Sequence, residues 1–327
     1  MTTILSAASG AEPITPAGRQ EYGYLLIHFV ENRHGHTEKI YFSLSDGNNP
    51  LKWRRLNNGE PVLEWANGST GVRDPYIVAG ADGYHIIATD LRVWRADGSE
   101  PDWEQFGTYG SHDLIVWDSP DLVHWSQPRA VTVAPKEAGM AWAPEALWDP
   151  IAGDYLVYWS SRLNGGPARI MVARTTDFKT FTPAEVYLSL GDNPVIDMTA
   201  TIIDGRVHRF AKQDESTPDS MRVFQQVGSS FFADDFATVA TGLGAELGGG
   251  QEAPLIFREH HSDRWYLWVD RYGEDGVHGY RALTSTDPAS GNWRLLADGE
   301  LELPPNTKHG VVLPLLAHQY EAIENHY

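Results

Sequence analysis

Five residues that could move protons or hold a cation recur along the chain: Asp74, Glu145, Asp197, Glu252 and His309, the steps between them being 71, 52, 55 and 57 residues. Each opens a stretch that reads as a strand start, beside a Pro, a Gly or an apolar run. Carboxylates gathered into one pocket repel one another, so at least one of them holds its proton well above the usual range. A fold tolerates that mainly where chemistry needs it. The reaction most in want of the arrangement is glycoside hydrolysis. One carboxylic acid donates to the leaving oxygen while a carboxylate about 6.5–9.5 Å away activates water with inversion; a retaining enzyme needs the pair about 5–5.5 Å apart.

The elements that would bring these residues together are legible as a repeat. Four stretches run into an apolar strand, turn at a Gly-containing or polar hairpin and return as a second strand: DPYIVAGADGYHIIATD from Asp74, PEALWDPIAGDYLVYWSS from Pro144, IDMTATIIDGRVHRFAK from Ile196 and EAPLIFREHHSDRWYLWVD from Glu252. A third strand ending in a Ser/Thr-x-Asp turn follows in three of them, at Ser119–Asp121, Thr175–Asp177 and Ser285–Asp287. After His309 a single strand, GVVLPLL, remains; the strands it lacks come from the N-terminus, YGYLLIHFV and KIYFSLSD, ending near Trp53. Short strands at a period of about 50 residues predict radial repetition. The expectation is an all-β, five-bladed β-propeller over 21–327, its last blade closed by N-terminal strands, after a tail over 1–20, with no helix of useful length. An ordinary β-sandwich is the bland competitor. The turns resemble sialidase Asp boxes but lack the Gly expected between Asp and Trp, as in Ser119-Pro-Asp121-Leu-Val-His-Trp125.

The motifs Arg73-Asp74-Pro75, Trp142-Ala-Pro-Glu145, Val195-Ile-Asp197, Gln251-Glu252-Ala-Pro254 and Lys308-His309-Gly310 resemble, in order and spacing, the blade-opening motifs of glycoside hydrolase family 43. The similarity spans about residues 22 to 320. It implies an inverting propeller glycosidase acting on furanosides or xylosides. By the same resemblance, Asp74 is the general base, Asp197 the aspartate that tunes and orients the acid, and Glu252 the general acid. Glu145 is a second candidate for the acid, since Trp142 and Pro144 would give it an apolar neighbourhood. The family pattern instead gives it a substrate contact or the support of the Trp142 loop. Trp142 is the natural sugar platform. The resemblance also implies a hydrated Ca²⁺ on the axis near His309, although one histidine is a poor calcium site by itself.

In a propeller, the connections between second and third strands form the rim around the pocket. These are Asp90 to Ser111, Ser161 to Arg169, Lys212 to Met221 and Arg271 to Gly279. The first carries Trp94, Trp103, Phe106 and Tyr109, a wall that favours removal of terminal sugars. Asp90, Arg162, Lys212 and Arg271 end second strands, where they bond sugar hydroxyls or serve as surface charges. The expected activity is an exo-acting α-L-arabinofuranosidase on oligosaccharide or polysaccharide side chains, with β-xylosidase and β-D-galactofuranosidase as variants. A non-catalytic carbohydrate-binding propeller is the alternative of another class; a retaining enzyme of the invertase type is the alternative mechanism.

Composition narrows the partners. A net charge of −19 opposes neutralising a phosphate backbone, which sets nucleic acid and anionic membranes aside. There is no cysteine, hence no disulfide, thiolate metal site or cysteine nucleophile. No apolar run approaches the roughly 20 residues needed to span a bilayer. MTTILSAASGAEPITPAGRQ lacks the basic and apolar regions of a secretory signal, so the expected location is cytoplasmic.

Overall fold

The computed structural model describes residues 20–80, 83–95, 97–213, 222–273 and 278–327. The expected tail over 1–20, Gln20 apart, lies outside them, as do the interiors of two expected rim connections, 214–221 and 274–277.

Twenty strands form five four-stranded antiparallel sheets. The chain starts with β1 (Glu21–Val30), β2 (Ile40–Asp46) and β3 (Asn49–Arg55). The second blade is β4 (Val72–Gly80), β5 (Gly83–Asp90), β6 (Asp113–Ser119) and β7 (Arg129–Thr132). The third is β8 (Trp142–Asp149), β9 (Asp154–Arg162), β10 (Ala168–Thr175) and β11 (Glu185–Leu188). The fourth is β12 (Val195–Ile203), β13 (Arg206–Gln213), β14 (Arg222–Gly228) and β15 (Ala237–Leu243). The fifth is β16 (Gly250–Arg258), β17 (Trp265–Tyr272), β18 (Gly279–Ser285) and β19 (Arg294–Leu295). Finally β20 (Thr307–Leu316) pairs antiparallel with β1 and becomes the inner strand of the first blade.

The inner strands close a ring, because β4 packs on β8, β8 on β12, β12 on β16, β16 on β20, and β20 on β4. Each is covered on both faces, which is why VIDMTATII and GQEAPLIFR read as nearly continuous apolar runs rather than alternating ones. Between the blades sit large side chains that no water reaches, among them Trp117, Trp159 and Trp268. Trp53 of the first blade meets Trp268 of the fifth edge to face, ring centroids 5.7 Å apart.

The Ser/Thr-x-Asp turns cap themselves. Asp121 Oδ1 accepts from the Val123 and His124 N–H groups at 3.0 and 2.8 Å, and Asp177 Oδ1 from Lys179 and Thr180, both at 2.9 Å. The following residues, Leu122 and Phe178, take left-handed backbone with φ of 70° and 52° and plug the core. These aspartates are turn residues of the blade periphery.

Two helices correct the expectation of none. α1 (Trp103–Tyr109) lies in the β5–β6 connection, and α2 (Ala317–His326) follows β20. At seven and ten residues, both are too short for periodicity to announce them, and tertiary packing holds them. Asp102 caps α1 by accepting from Gln105 N–H at 2.9 Å. α2 buries Tyr320 and Ile323, and the Tyr320 hydroxyl donates to Ser45 O at 2.8 Å. Among the described residues no helix is long and apolar enough to cross a membrane.

Candidate active site

The inner strands of blades two to five share one irregularity. Their register with the second strand shifts between Arg73 and Tyr76, Trp142 and Glu145, Ile196 and Thr199, and Glu252 and Leu255. In every case one residue of the bulge is left-handed: Asp74 at φ 51°, Ala143 at 48°, Asp197 at 51° and Ala253 at 49°. A non-glycine residue in this region is strained by roughly 1–2 kcal/mol, and four copies in equivalent places mark a deliberate device that re-aims side chains.

Aligned on this bulge, the four acids read as equivalent in the sequence are not equivalent. Asp74 and Asp197 occupy the bulge position itself, Glu252 stands one residue before it, and Glu145 stands two after it. A displacement of one residue turns a strand side chain to the other face. Asp74, Asp197 and Glu252 are half-buried at the inner-strand ends, whereas Glu145 is buried.

Asp74 is held from two sides. Thr89 Oγ1 donates to its Oδ2 at 2.9 Å, and His309 Nδ1 lies 3.3 Å from its Oδ1. Thr89 Oγ1 in turn accepts from Ala143 N–H at 2.8 Å, which fixes its rotamer across to the third blade. Burial pushes the Asp74 carboxyl up, but His309, Arg73 and Thr89 outweigh it and hold the pKa below the usual carboxylate range.

Asp197 and Glu252 form the other group. Asp197 Oδ2 accepts from the N–H of Ala253, the residue after Glu252, at 3.2 Å, and its own N–H donates to Ser160 Oγ at 3.0 Å. Lys212 Nζ donates to Glu252 Oε2 at 3.1 Å. Burial, together with the Glu252 and Asp74 charges, raises the Asp197 carboxyl to about 6. For Glu252 burial is overcome by Lys212, Lys308 and Arg73, so its pKa is lowered. Of the two, Asp197 is therefore the carboxyl that holds a proton more readily, and Glu252 the one pressed toward its ionised form.

Three further ion pairs surround the acids. Lys308 Nζ is 2.8 Å from Asp270 Oδ2, and both side chains are almost fully buried. Arg73 bonds Glu31 and lies with its Nε 3.4 Å from Glu38 Oε1, its guanidinium 4.5 Å above the Phe29 ring. In the sequence Glu38 and Asp270 carry no motif, Lys308 stands in one without a role of its own, and Lys212 reads as a hydroxyl ligand or a surface charge. The available signal for Asp270 was a charge inside a largely apolar strand, WYLWVDRY.

The remaining expected residues fall in three places. Trp142 is half-buried and meets Trp103 of α1 edge to face, centroids 6.4 Å apart. Trp103 is 49% and Tyr109 82% exposed, so the long β5–β6 connection presents aromatic surface. Glu145 is buried against the neighbouring strands: its Oε2 accepts from the Tyr158 hydroxyl at 3.0 Å, Thr199 bonds it too, and burial raises its pKa to about 8. Asp90 and Arg271 are not brought to the carboxylates as free hydroxyl ligands. Asp90 Oδ1 accepts from Trp65 Nε1, Ser69 N–H and Ser69 Oγ at 3.1, 3.0 and 2.7 Å, and Arg271 Nε donates to Leu247 O at 3.0 Å. Each anchors a neighbouring connection.

A calcium ion near His309, as the resemblance implies, would rest largely on water. Among the described residues no three His, Asp or Glu side chains gather as metal ligands. Burial pulls the His309 imidazole down, but Asp74, Asp197 and Glu145 raise it to about 9. No step below runs through a metal.

Residues 20–321 match the family described as "Probable glycosyl hydrolase domain". The chain belongs to this family of glycoside hydrolases. It is 30% identical over 216 residues to an α-L-arabinofuranosidase of Bifidobacterium longum subsp. longum, a match covering 59% of this chain and 20% of that protein. The chain thus spans about a fifth of that relative's length. In structure it resembles an endo-arabinase from Bacteroides thetaiotaomicron (TM-score 0.52, 16% identity, 75% of this chain and 94% of the other). It also resembles a thermostable family-43 glycoside hydrolase (TM-score 0.51, 17% identity, 73% and 74%). At these identities the structural likeness establishes the five-bladed fold of the glycosidase and no more.

Proposed function

We propose that this glycosidase is an inverting, exo-acting α-L-arabinofuranosidase. The observation that carries the reading is the division of the acids. Asp74 of the second blade is bonded by Thr89 and His309, while Asp197 of the fourth is tied through the Ala253 N–H to the strand that carries Glu252 of the fifth, and Lys212 sits on Glu252. Blades two and four are separated by the third, and blades two and five by the first, so the base faces the other two acids across the channel.

Asp74, with one oxygen bonded by Thr89, takes the proton of a water attacking the anomeric carbon. Glu252 delivers a proton to the departing oxygen, C–O cleavage completing as C–O formation begins on the opposite face. Lys212 keeps Glu252 ionised at rest. The acid becomes competent when the proton of the pair moves from Asp197 to its neighbour, which assigns Asp197 the tuning role. Trp142 and Trp103 offer indole faces to the C–H face of a sugar. The arabinofuranosidase of B. longum is the support for arabinose. A panel of nitrophenyl furanosides and pyranosides, with the product anomer followed by NMR, tests the reading. Release of arabinose with inverted configuration is expected; retained configuration refutes the mechanism, and hydrolysis of pyranosides alone refutes the sugar.

A further inference from the structure

Glu38 stands on the connection between β1 and β2 and is completely buried. Its carboxylate reaches into the second blade. Oε1 accepts from Val93 N–H at 2.7 Å, Oε2 accepts from Trp94 N–H at 3.2 Å, and Oε1 is 3.4 Å from Arg73 Nε. Its main-chain carbonyl accepts from Val72 N–H at 2.9 Å. One residue therefore grips the second blade at the start of its inner strand, at the arginine before Asp74, and at the point where the long rim connection leaves β5.

That connection continues into α1. The Trp103 ring lies 6.0 Å from the Arg73 guanidinium and packs on Trp142, while Arg33 covers Trp94 at 4.7 Å. The aromatic surface is thus tied to the ring of blades at its root through a carboxylate that burial pushes up in pKa but that Arg73 and the Val93 and Trp94 amides draw back toward its charged form. Such charge-assisted bonds are roughly twice as strong as neutral ones. A glutamine cannot replace it: its amide would turn N–H donors toward Val93, Trp94 or Arg73, all donors themselves, leaving buried groups unsatisfied.

We propose that Glu38 is a positioning residue that sets the aromatic wall of the substrate pocket from the neighbouring blade, governing the binding of the part of the saccharide beyond the scissile bond and not the chemical step. The inference rests on the glycosidase reading above. Two measurements on the full chain test it: hydrogen exchange of peptides covering Val93, Trp94 and α1, and kinetics on arabino-oligosaccharides. In Glu38→Gln these amides exchange at least about tenfold faster while those of β12 and β16 do not change, as loss of a buried charge-assisted anchor implies. KM for the oligosaccharide rises about tenfold, the equivalent of 1.4 kcal/mol, and kcat stays within about twofold.

Unchanged exchange overturns the proposal, and so does a fall in kcat at constant KM, which would mean that Glu38 acts through Arg73 on Asp74. Should Glu38→Gln not fold, Glu38→Asp keeps the charge but is too short to hold both amides. The same local exchange is expected of it, and its absence overturns the proposal equally. A wild-type chain that hydrolyses no glycoside sinks the functional reading, while the exchange comparison still decides whether Glu38 holds the wall.

Discussion

At the scale of single residues, the site is a problem in proton placement. If Asp74 is base and Glu252 acid, then Asp74→Ala and Glu252→Gln each lower kcat by about a hundredfold or more with the melting transition preserved, the usual loss for general acid–base groups. Near-wild-type hydrolysis by either variant removes the assignment. The pH profile follows from the pair: activity requires a proton on it, so the alkaline limb of kcat/KM lies near 6, the value to which Asp197 is raised. Lys212→Met removes the cation 3.1 Å from Glu252 and moves that limb upward, because the ionised form of the pair loses its partner; an unmoved limb would show that Lys212 does not set the titration. Glu145 carries the opposite lesson. Burial raises its pKa from 4.5 to about 8, so the fold binds its proton more tightly than the unfolded chain does. Stability from this group is fully present below the unfolded value and is lost as pH rises through about 8. Glu145→Gln, neutral throughout, flattens the decline of the melting temperature across that window and leaves turnover within about threefold, as expected of a carboxyl buried against Tyr158 and Thr199.

At the scale of elements, the bulge is what the sequence concealed. The blade-opening motifs place Asp74, Asp197 and Glu252 at the starts of inner strands, where they stand, and Asp197 also interrupts an apolar run with a charge. They do not reveal that Ala143 and Ala253 take the backbone conformation that Asp74 and Asp197 take, since alanine carries no signature of a positive φ. For that reason Glu145 looked like a fourth member of the set. A left-handed alanine costs about 1–2 kcal/mol, against about 0.5–1 kcal/mol of extra unfolded-chain freedom for glycine. Ala143→Gly is therefore expected to stabilise the protein slightly, by about 0.5–1 kcal/mol, read as a higher midpoint in chemical denaturation. A lower midpoint would show that the bulge is not strained. The rim charges were illegible for a different reason. Asp90 and Arg271 sit where hydroxyl ligands could sit, and only coordinates show that Trp65, Ser69 and Leu247 hold them.

At the scale of the molecule, the closure was readable because the chain runs out of strands after His309 and has two unassigned at its start. The sheet β20–β1–β2–β3 is that closure. The two strands crowd at Gly310, where an added Cβ would lie 2.1 Å from Ile27 O and within 3 Å of His28. Gly310→Ala must push two backbones apart beside His309, so we expect a loss of several degrees in melting temperature and a parallel loss of activity. An unchanged melting curve would mean that the seam yields freely.

The seam between β1 and β20 has a kinetic corollary. Its partners, such as Glu21 and Leu316, flank all the other blades, so the wheel stays an open arc, with two bare strand edges, until β20 meets β1. Refolding is therefore governed by one late long-range encounter, and nascent or nicked chains offer each other the edges they should be offering themselves.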